Sequence, residues 1–170
     1  RQADSSPGAR ELLVLDCIVR RPFLRRDQLA DYMHLTLRRL TPRLITLGQR
    51  GLISHCLWSE PGQPRAMRHY YPRVGGLQAL ELPRATRGVY GQHLARVSSQ
   101  AKRLGAHRSL WLRTLRLNAF CMSVLLGRRA CGRSADWAAP PLGYLDDFKG
   151  TCPVHLIRLG DSVTLSLIHI

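Results

Sequence analysis

Acid is scarce in this 170-residue chain: eleven Asp and Glu stand against 26 Lys and Arg, for a formal charge of +15. From Leu82 to Ala135 there is none at all, while the same stretch carries ten Arg and one Lys. A segment of that kind sets up a positive field that draws polyanions. Lysine is nearly missing too, since 24 of the 26 cations are Arg. A GC-rich genome produces the same bias, and arginine stems cover ordinary solvated helix faces. Charge therefore points to nucleic acid only in company with a motif.

Long apolar runs are absent. The longest, "AFCMSVLLG" at 119–127, has arginines on both sides and falls well short of the ~18 residues that span a bilayer. No charged-then-apolar leader opens the chain. With 45% hydrophobic and 22% charged residues, the composition is that of a globular, cytoplasmic protein with no membrane partner. The chain opens without Met and closes on the apolar "TLSLIHI". We therefore expect a piece of a longer protein, with residues 162–170 resembling a translated adapter tail.

Paired cysteines are missing as well. Cys17, Cys56, Cys121, Cys131 and Cys152 are odd in number and widely spaced, with no CxxC. That excludes the usual zinc and disulfide spacings and leaves reduced thiols. Seven histidines include no His-x-His pair, so His69-Tyr70-Tyr71 lacks the metal-holding neighbours that a DNA-nicking tyrosine uses. No Walker-type phosphate loop occurs, and "GRSADW" has no partner His and Asp at a recognisable spacing. Asp146-Asp147 beside Lys149 reads as a solvated turn. No enzyme, metal or cofactor is expected.

What is present is a succession of short amphipathic elements. "GARELLVLDCIVRR" sets Leu12, Leu15 and Val19 on one helical stripe, widened by Leu13, Cys17 and Ile18, and Pro22 ends it. "FLRRDQLADYM" predicts a second, short helix with Leu29, Ala30 and Met33 inward and Asp27 near its positive end. After a turn at His34-Leu35, Thr36 is placed to cap a third helix, whose Leu37, Leu40, Leu44 and Leu47 recur at helical spacing. Gly51 stands where a left-handed C-terminal cap is wanted. Two strand-like runs, "LISHCLWS" and "AMRHYYP", flank the turn "EPGQPR", and "GGLQALEL" begins another short helix. The alternation in the first run does not settle which side faces in.

Helix, helix, turn, helix and hairpin in that order predict a winged helix-turn-helix over residues 8–82. The fold class is mainly α with a small β-hairpin. Residues 83–108 read as a basic linker or weak helix. Residues 109–129 read as a long amphipathic helix with Leu112, Leu115, Asn118, Ala119, Met122 and Leu126 on one face. Residues 130–170 read as an irregular segment, with a candidate strand in "PVHLIRLGDSV".

The pieces "RDQLADYM", "PRLITLGQRGLI", "HYYPRVGGLQAL" and "TLRLNAFCMSVLL" resemble the bacterial replication-relaxation family of plasmids and mobile elements. The resemblance implies an N-terminal winged helix acting in replication, transfer or transcription control. It matches Tyr70-Tyr71-Pro72-Arg73-Val74-Gly75 to a family turn, with Gly75 at the family glycine, and Asn118 to an Asn within an apolar frame. Family members often continue into a nuclease-like segment with a Pro-Asp-Gly step. This chain has "PPLGYLDDF", with Leu142 where that Asp would be.

On a DNA-binding reading the third helix enters the major groove, where Arg pairs with guanine. Arg38 and Arg39, early in the helix, are the candidates for base contact, and Arg43 lies one turn on. Thr36 would donate to a phosphate. Gln63 and Arg65 at the wing tip, supported by Arg68, would reach the backbone or minor groove. The partner is double-stranded DNA, with a homodimer through the 109–129 helix as a further expectation. The alternative is a winged helix that binds protein and not DNA, and a truncated nicking or nuclease-like protein is a more distant one. Pro42 lies inside the third helix. Either one kinked helix runs from Leu37, or a shorter one starts with Thr41 as cap and Pro42 at its first position.

Overall fold

The computed structural model describes residues 7–59, 64–101, 109–133 and 135–138, and the backbone of 155–159 and 163–167. The chain divides into two compact units, residues 1–87 and 88–170. The first contains α1 (Ala9–Arg20), β1 (Leu24–Arg25), α2 (Arg26–Met33), α3 (Leu37–Gln49), β2 (Ile53–Trp58), β3 (Met67–Pro72) and α4 (Val74–Ala79). Its strands form one antiparallel sheet in the order β1-β3-β2. Three helices, with a hairpin following the third and a short strand added at the hairpin's edge, make a winged helix-turn-helix.

Glu11 opens α1 by accepting from the Gly8 amide at 3.0 Å, and the helix ends ahead of Pro22. Its buried face is Val14, Leu15, Cys17, Ile18 and Val19. Leu13, expected inward, is 64% exposed. It stands two residues before Leu15 and therefore on the far side of the helix.

The segment at 23–25 departs from the expected helix. Phe23 is fully buried with φ +70°, a conformation that a non-glycine residue holds only when its surroundings impose it. Those surroundings are explicit. The Phe23 amide donates to the Tyr70 carbonyl (2.6 Å), and the Phe23 carbonyl accepts from Nδ1 of buried His69 (3.0 Å). The Phe23 ring lies 5.3 Å from that of Tyr71. Leu24 and Arg25 then pair with Tyr70 and His69 as the third strand. Two residues are too few to show alternation, so the hydropathy pattern carries no sign of it.

The turn between α2 and α3 is a Schellman closure, with Leu35 N–H to Ala30 O at 2.9 Å and His34 N–H to Asp31 O at 3.4 Å. His34 takes the left-handed position, φ +51°. That conformation costs an L-residue roughly 1–2 kcal/mol, whereas glycine adds roughly 0.5–1 kcal/mol of unfolded-state entropy. His34→Gly is therefore expected to stabilise the unit by about 0.5–1 kcal/mol, raising its thermal midpoint by a few degrees. An unchanged or lower midpoint would refute this account of the turn.

Of the two alternatives for Pro42, the longer helix is observed. α3 runs unbroken from Leu37 to Gln49, with Thr36 Oγ1 accepting from the Arg39 amide at 3.4 Å. Leu40, Leu44 and Leu47 are buried where α3 meets α1, α2 and β2. Pro42 forfeits the hydrogen bond to the Arg38 carbonyl, a loss of ~3 kcal/mol in an ordinary helix interior. Both residues are exposed, so water can take that carbonyl. At the other end, Leu52 N–H bonds to Leu47 O (3.0 Å) and Gly51 N–H to Gly48 O (2.9 Å), with Gly51 at φ +69°. The left-handed glycine cap turns the chain straight into β2.

Register settles the facing of the hairpin. Ser54, Cys56 and Trp58 share one side with Tyr71, His69 and Met67, while His55 and Leu57 share the other with Tyr70 and Arg68. Cys56 and Trp58 are buried, and Leu57 is 59% exposed near the tip. α4 then crosses back over α1 and β3. A methyl group on Gly76 would overlap the Leu52 carbonyl oxygen, whereas one on Gly75 would meet only ordinary contacts. Gly75, the position matched to the family glycine, thus has room for a side chain, and its neighbour Gly76 does not.

The second unit follows from α5 (Arg84–Ala101), which begins just before the boundary between the units. Of the two alternatives for residues 83–108, linker or weak helix, a helix of eighteen residues is observed. Thr86, Tyr90, Leu94 and Val97 form its buried stripe, and burial pushes the Tyr90 hydroxyl well above its ordinary pKa. α6 (Ser109–Ala130) buries Trp111, Thr114, Leu117, Asn118, Cys121, Met122 and Leu125. Ala119 and Leu126, expected inward, are exposed. The inward face is centred one residue earlier because Trp111, the bulkiest side chain at hand, is fully buried. Gln100 Oε1 of α5 accepts from the Leu110 and Trp111 amides (3.0 and 3.2 Å), occupying two of the first-turn donors that α6 cannot satisfy itself. β4 (Asp136–Ala138), β5 (His155–Leu159) and β6 (Val163–Leu167) form a second antiparallel sheet in that order. Residues 136–138, 155–159 and 163–167 are thus extended and paired. The 130–170 segment was expected to be irregular apart from a candidate strand in "PVHLIRLGDSV", and β5 lies within that run. Among the described residues, no helix is long and apolar enough to cross a membrane.

Candidate nucleic-acid interface

With Leu40, Leu44 and Leu47 turned inward, the helical period places Arg38, Arg39, Pro42, Ile45, Thr46 and Gln49 on the outward side of α3. The burial pattern agrees: all are exposed except Thr46, which is half-buried. Arg38 and Arg39 occupy the first turn and make no ion pair among the described residues. Thr36 is exposed beside them. Its oxygen lone pair is used in capping, which leaves the hydroxyl hydrogen to donate to an anion. Arginine side chains and the uncompensated amides of a helix start therefore sit together.

Arg43 is half-buried on the flank of the inward leucines, one turn beyond Arg39. Arg50 bonds to Glu11 at 3.1 Å, which ties the end of α3 to the start of α1. In the wing, Arg65 and Arg68 are exposed, and Gln63 lies outside the described residues. Arg68 stands across from Leu57 on the outer strand face, one register step from His55. Partial burial, and then the charge of Arg68, lower the pKa of His55. Between Tyr32 and Leu80 the only acidic residue is Glu60. α3 and β3 thus present cations, and no acidic side chain lies on α3, β2 or β3.

Two outward residues were not among the candidate contacts: Ile45, and Pro42, which the sequence raised only as a question of helix continuity. Ile45 is 54% exposed, and Pro42 is exposed one turn before it. The available signal was their position opposite Leu40, Leu44 and Leu47, which a search for charged side chains passes over.

The geometry also bears on the tyrosine pair. His69 is buried with Nδ1 on the Phe23 carbonyl, and Tyr70 is 8% exposed on the opposite side of the strand. Tyr71, half-buried, lies on the same strand face as His69, whose Nδ1 is engaged by the Phe23 carbonyl. Cys17, Cys56 and Cys121 are buried thiols and Cys131 an exposed one. Among the described residues, no three of His, Cys, Asp and Glu cluster closely enough to hold a metal. Asp146, Asp147, Lys149 and the "PPLGYLDDF" segment lie outside the described residues.

No family model matches the chain, and no curated protein matches it. Among solved structures, Streptococcus pneumoniae FabT in complex with DNA is similar at 18% identity and TM-score 0.38, over 74% of this chain and 82% of that one. The PcaV transcriptional regulator of Streptomyces coelicolor is similar at 18% identity and TM-score 0.36, over 69% and 80%. The winged-helix assignment rests on the element order and sheet topology of residues 9–79.

Proposed function

We propose that this chain binds double-stranded DNA through its winged helix, with α3 in the major groove and the β2–β3 wing on the adjacent backbone. The observation that carries this reading is the outward face of α3. Arg38 and Arg39 are exposed at its first turn, with no ion pair among the described residues and no acid on the helix or the strands that follow. A solvated face in a folded domain ordinarily mixes both signs, whereas a phosphate-facing surface carries one. Arg38 and Arg39 reach base edges, Thr36 and the helix start hold a phosphate, and Arg65 and Arg68 position the wing. Arg43, on the flank, contacts the backbone. A role in plasmid or mobile-element replication, transfer or transcription control rests on the motif resemblance alone.

Salt dependence is the direct test. The affinity of the full chain for duplex DNA from its own locus should fall linearly in log–log form with salt, with a slope of about −0.9 per neutralised phosphate. Failure to retain duplex at any salt would overturn the reading in favour of a protein-binding winged helix.

The second unit supports self-association. Phe120 and Leu126 on α6 are 45% and 43% exposed, and they supply the apolar contact that a two-fold interface uses.

A further inference from the structure

The outward face of α3 holds more than cations. Pro42 and Ile45, three residues apart, lie side by side on it, between Arg38 and Arg39 at one end and Gln49 at the other. Both are exposed, so neither contributes to the core.

We infer that Pro42 and Ile45 form an apolar reading strip for thymine 5-methyl groups in the major groove. This inference rests on the DNA-binding function proposed above. In the major groove only the thymine of an A·T pair shows a methyl group, and a small apolar side chain in contact with it distinguishes that pair from the others. The placement fits: arginines at the start of the helix read guanine, and the strip one to two turns later reads methyls on the next base pairs.

Charge decides between duplex DNA and a protein as the occupant. A protein interface spans about 20–30 residues a side and is depleted of charge at its centre. The apolar strip here is two side chains wide and bordered by Arg38 and Arg39 on a face without acid. It is too small and too cationic for a protein interface core, and of the right size for one or two methyl groups.

The test begins with a randomised duplex pool, from which the full chain selects its preferred site. Each thymine of that duplex is then replaced singly by deoxyuridine, which removes only the methyl group. At one or two positions the wild type should lose about fourfold in affinity, the effect of burying one methyl group. Ile45→Ala should bind the thymine duplex correspondingly less well and should no longer distinguish thymine from deoxyuridine there. Its thermal midpoint should match the wild type, because Ile45 is on the surface.

Equal affinity for every deoxyuridine duplex would overturn the methyl-reading role while leaving DNA binding intact. That role would fall equally if Ile45→Ala kept the wild-type discrimination. No enrichment of any duplex, together with no salt-dependent retention, would instead remove the proposed function itself.

Discussion

Gly76→Ala is expected to cost the winged-helix unit about 3 kcal/mol, which for a domain of this size lowers the thermal midpoint by roughly 15 °C. The added methyl would overlap the Leu52 carbonyl oxygen and press on Leu15. Neither yields easily. Leu52 O accepts from the Arg73 amide at 2.9 Å and lies in the passage from α3 into β2, and Leu15 is fully buried in α1. Alanine's better helix propensity, worth up to about 1 kcal/mol over glycine, offsets only part of the clash. Gly75→Ala is the matched control. Its methyl would lie 3.5 Å from Leu52 Cδ2 and 3.6 Å from Gly51 O, within normal contact, so that variant should be neutral or slightly more stable. Urea unfolding of both variants checks the pair. Equal stabilities would show that α4 can lift away from Leu52, and the close approach would not matter.

The second large effect concerns binding. Arg38→Ala with Arg39→Ala should reduce affinity for the selected duplex roughly 100-fold, about 3 kcal/mol, since a good arginine contact to a base is worth ~1–3 kcal/mol and neighbouring contacts do not add fully. Both side chains are exposed, so the thermal midpoint should hold. The single variants separate the kinds of contact. Arg39→Ala should cost roughly 1–3 kcal/mol on the preferred site and relax preference at one base pair. An equal loss on all duplexes, with a salt slope reduced by about 1, would assign that arginine to phosphate. Unchanged affinity in the double variant would remove α3 as the recognition helix.

Much of the first unit was legible in the chain because its signals are local. Of the four leucines read as the stripe of α3, Leu40, Leu44 and Leu47 are buried and Leu37, in the first turn, is 43% exposed. The Thr36 cap and the glycine at 51 act within one or two turns and are seen in the roles read from their spacing. Pro42 was legible as a problem, and the unbroken helix resolves it because the leucine stripe on both sides of the proline is held by α1, α2 and β2. Elements that depend on distant partners were not legible. β1 exists because Phe23 is fixed between Tyr70 and His69, more than forty residues away (46 to His69 Nδ1), and no window along the sequence contains both sides of that contact. The inward face of α6 was misjudged by one residue for a similar reason. Spacing ranks leucines alike, whereas the fold buries Trp111 and turns the helix to suit it.

The sequence by itself determined the order of helices, the capping chemistry and the one-sided charge, because these follow from residue types and short spacings. It placed arginines at the start of a helix. Only the tertiary structure decided which of them stand clear: Arg38 and Arg39 outward, Arg43 on the flank, Arg50 held by Glu11. It also decided that Gly76 and not Gly75 is the glycine without room, and that Pro42 and Ile45 share the exposed face. Each of those outcomes is set by which side of a helix packs against the rest of the unit, and that is a property of the assembled core.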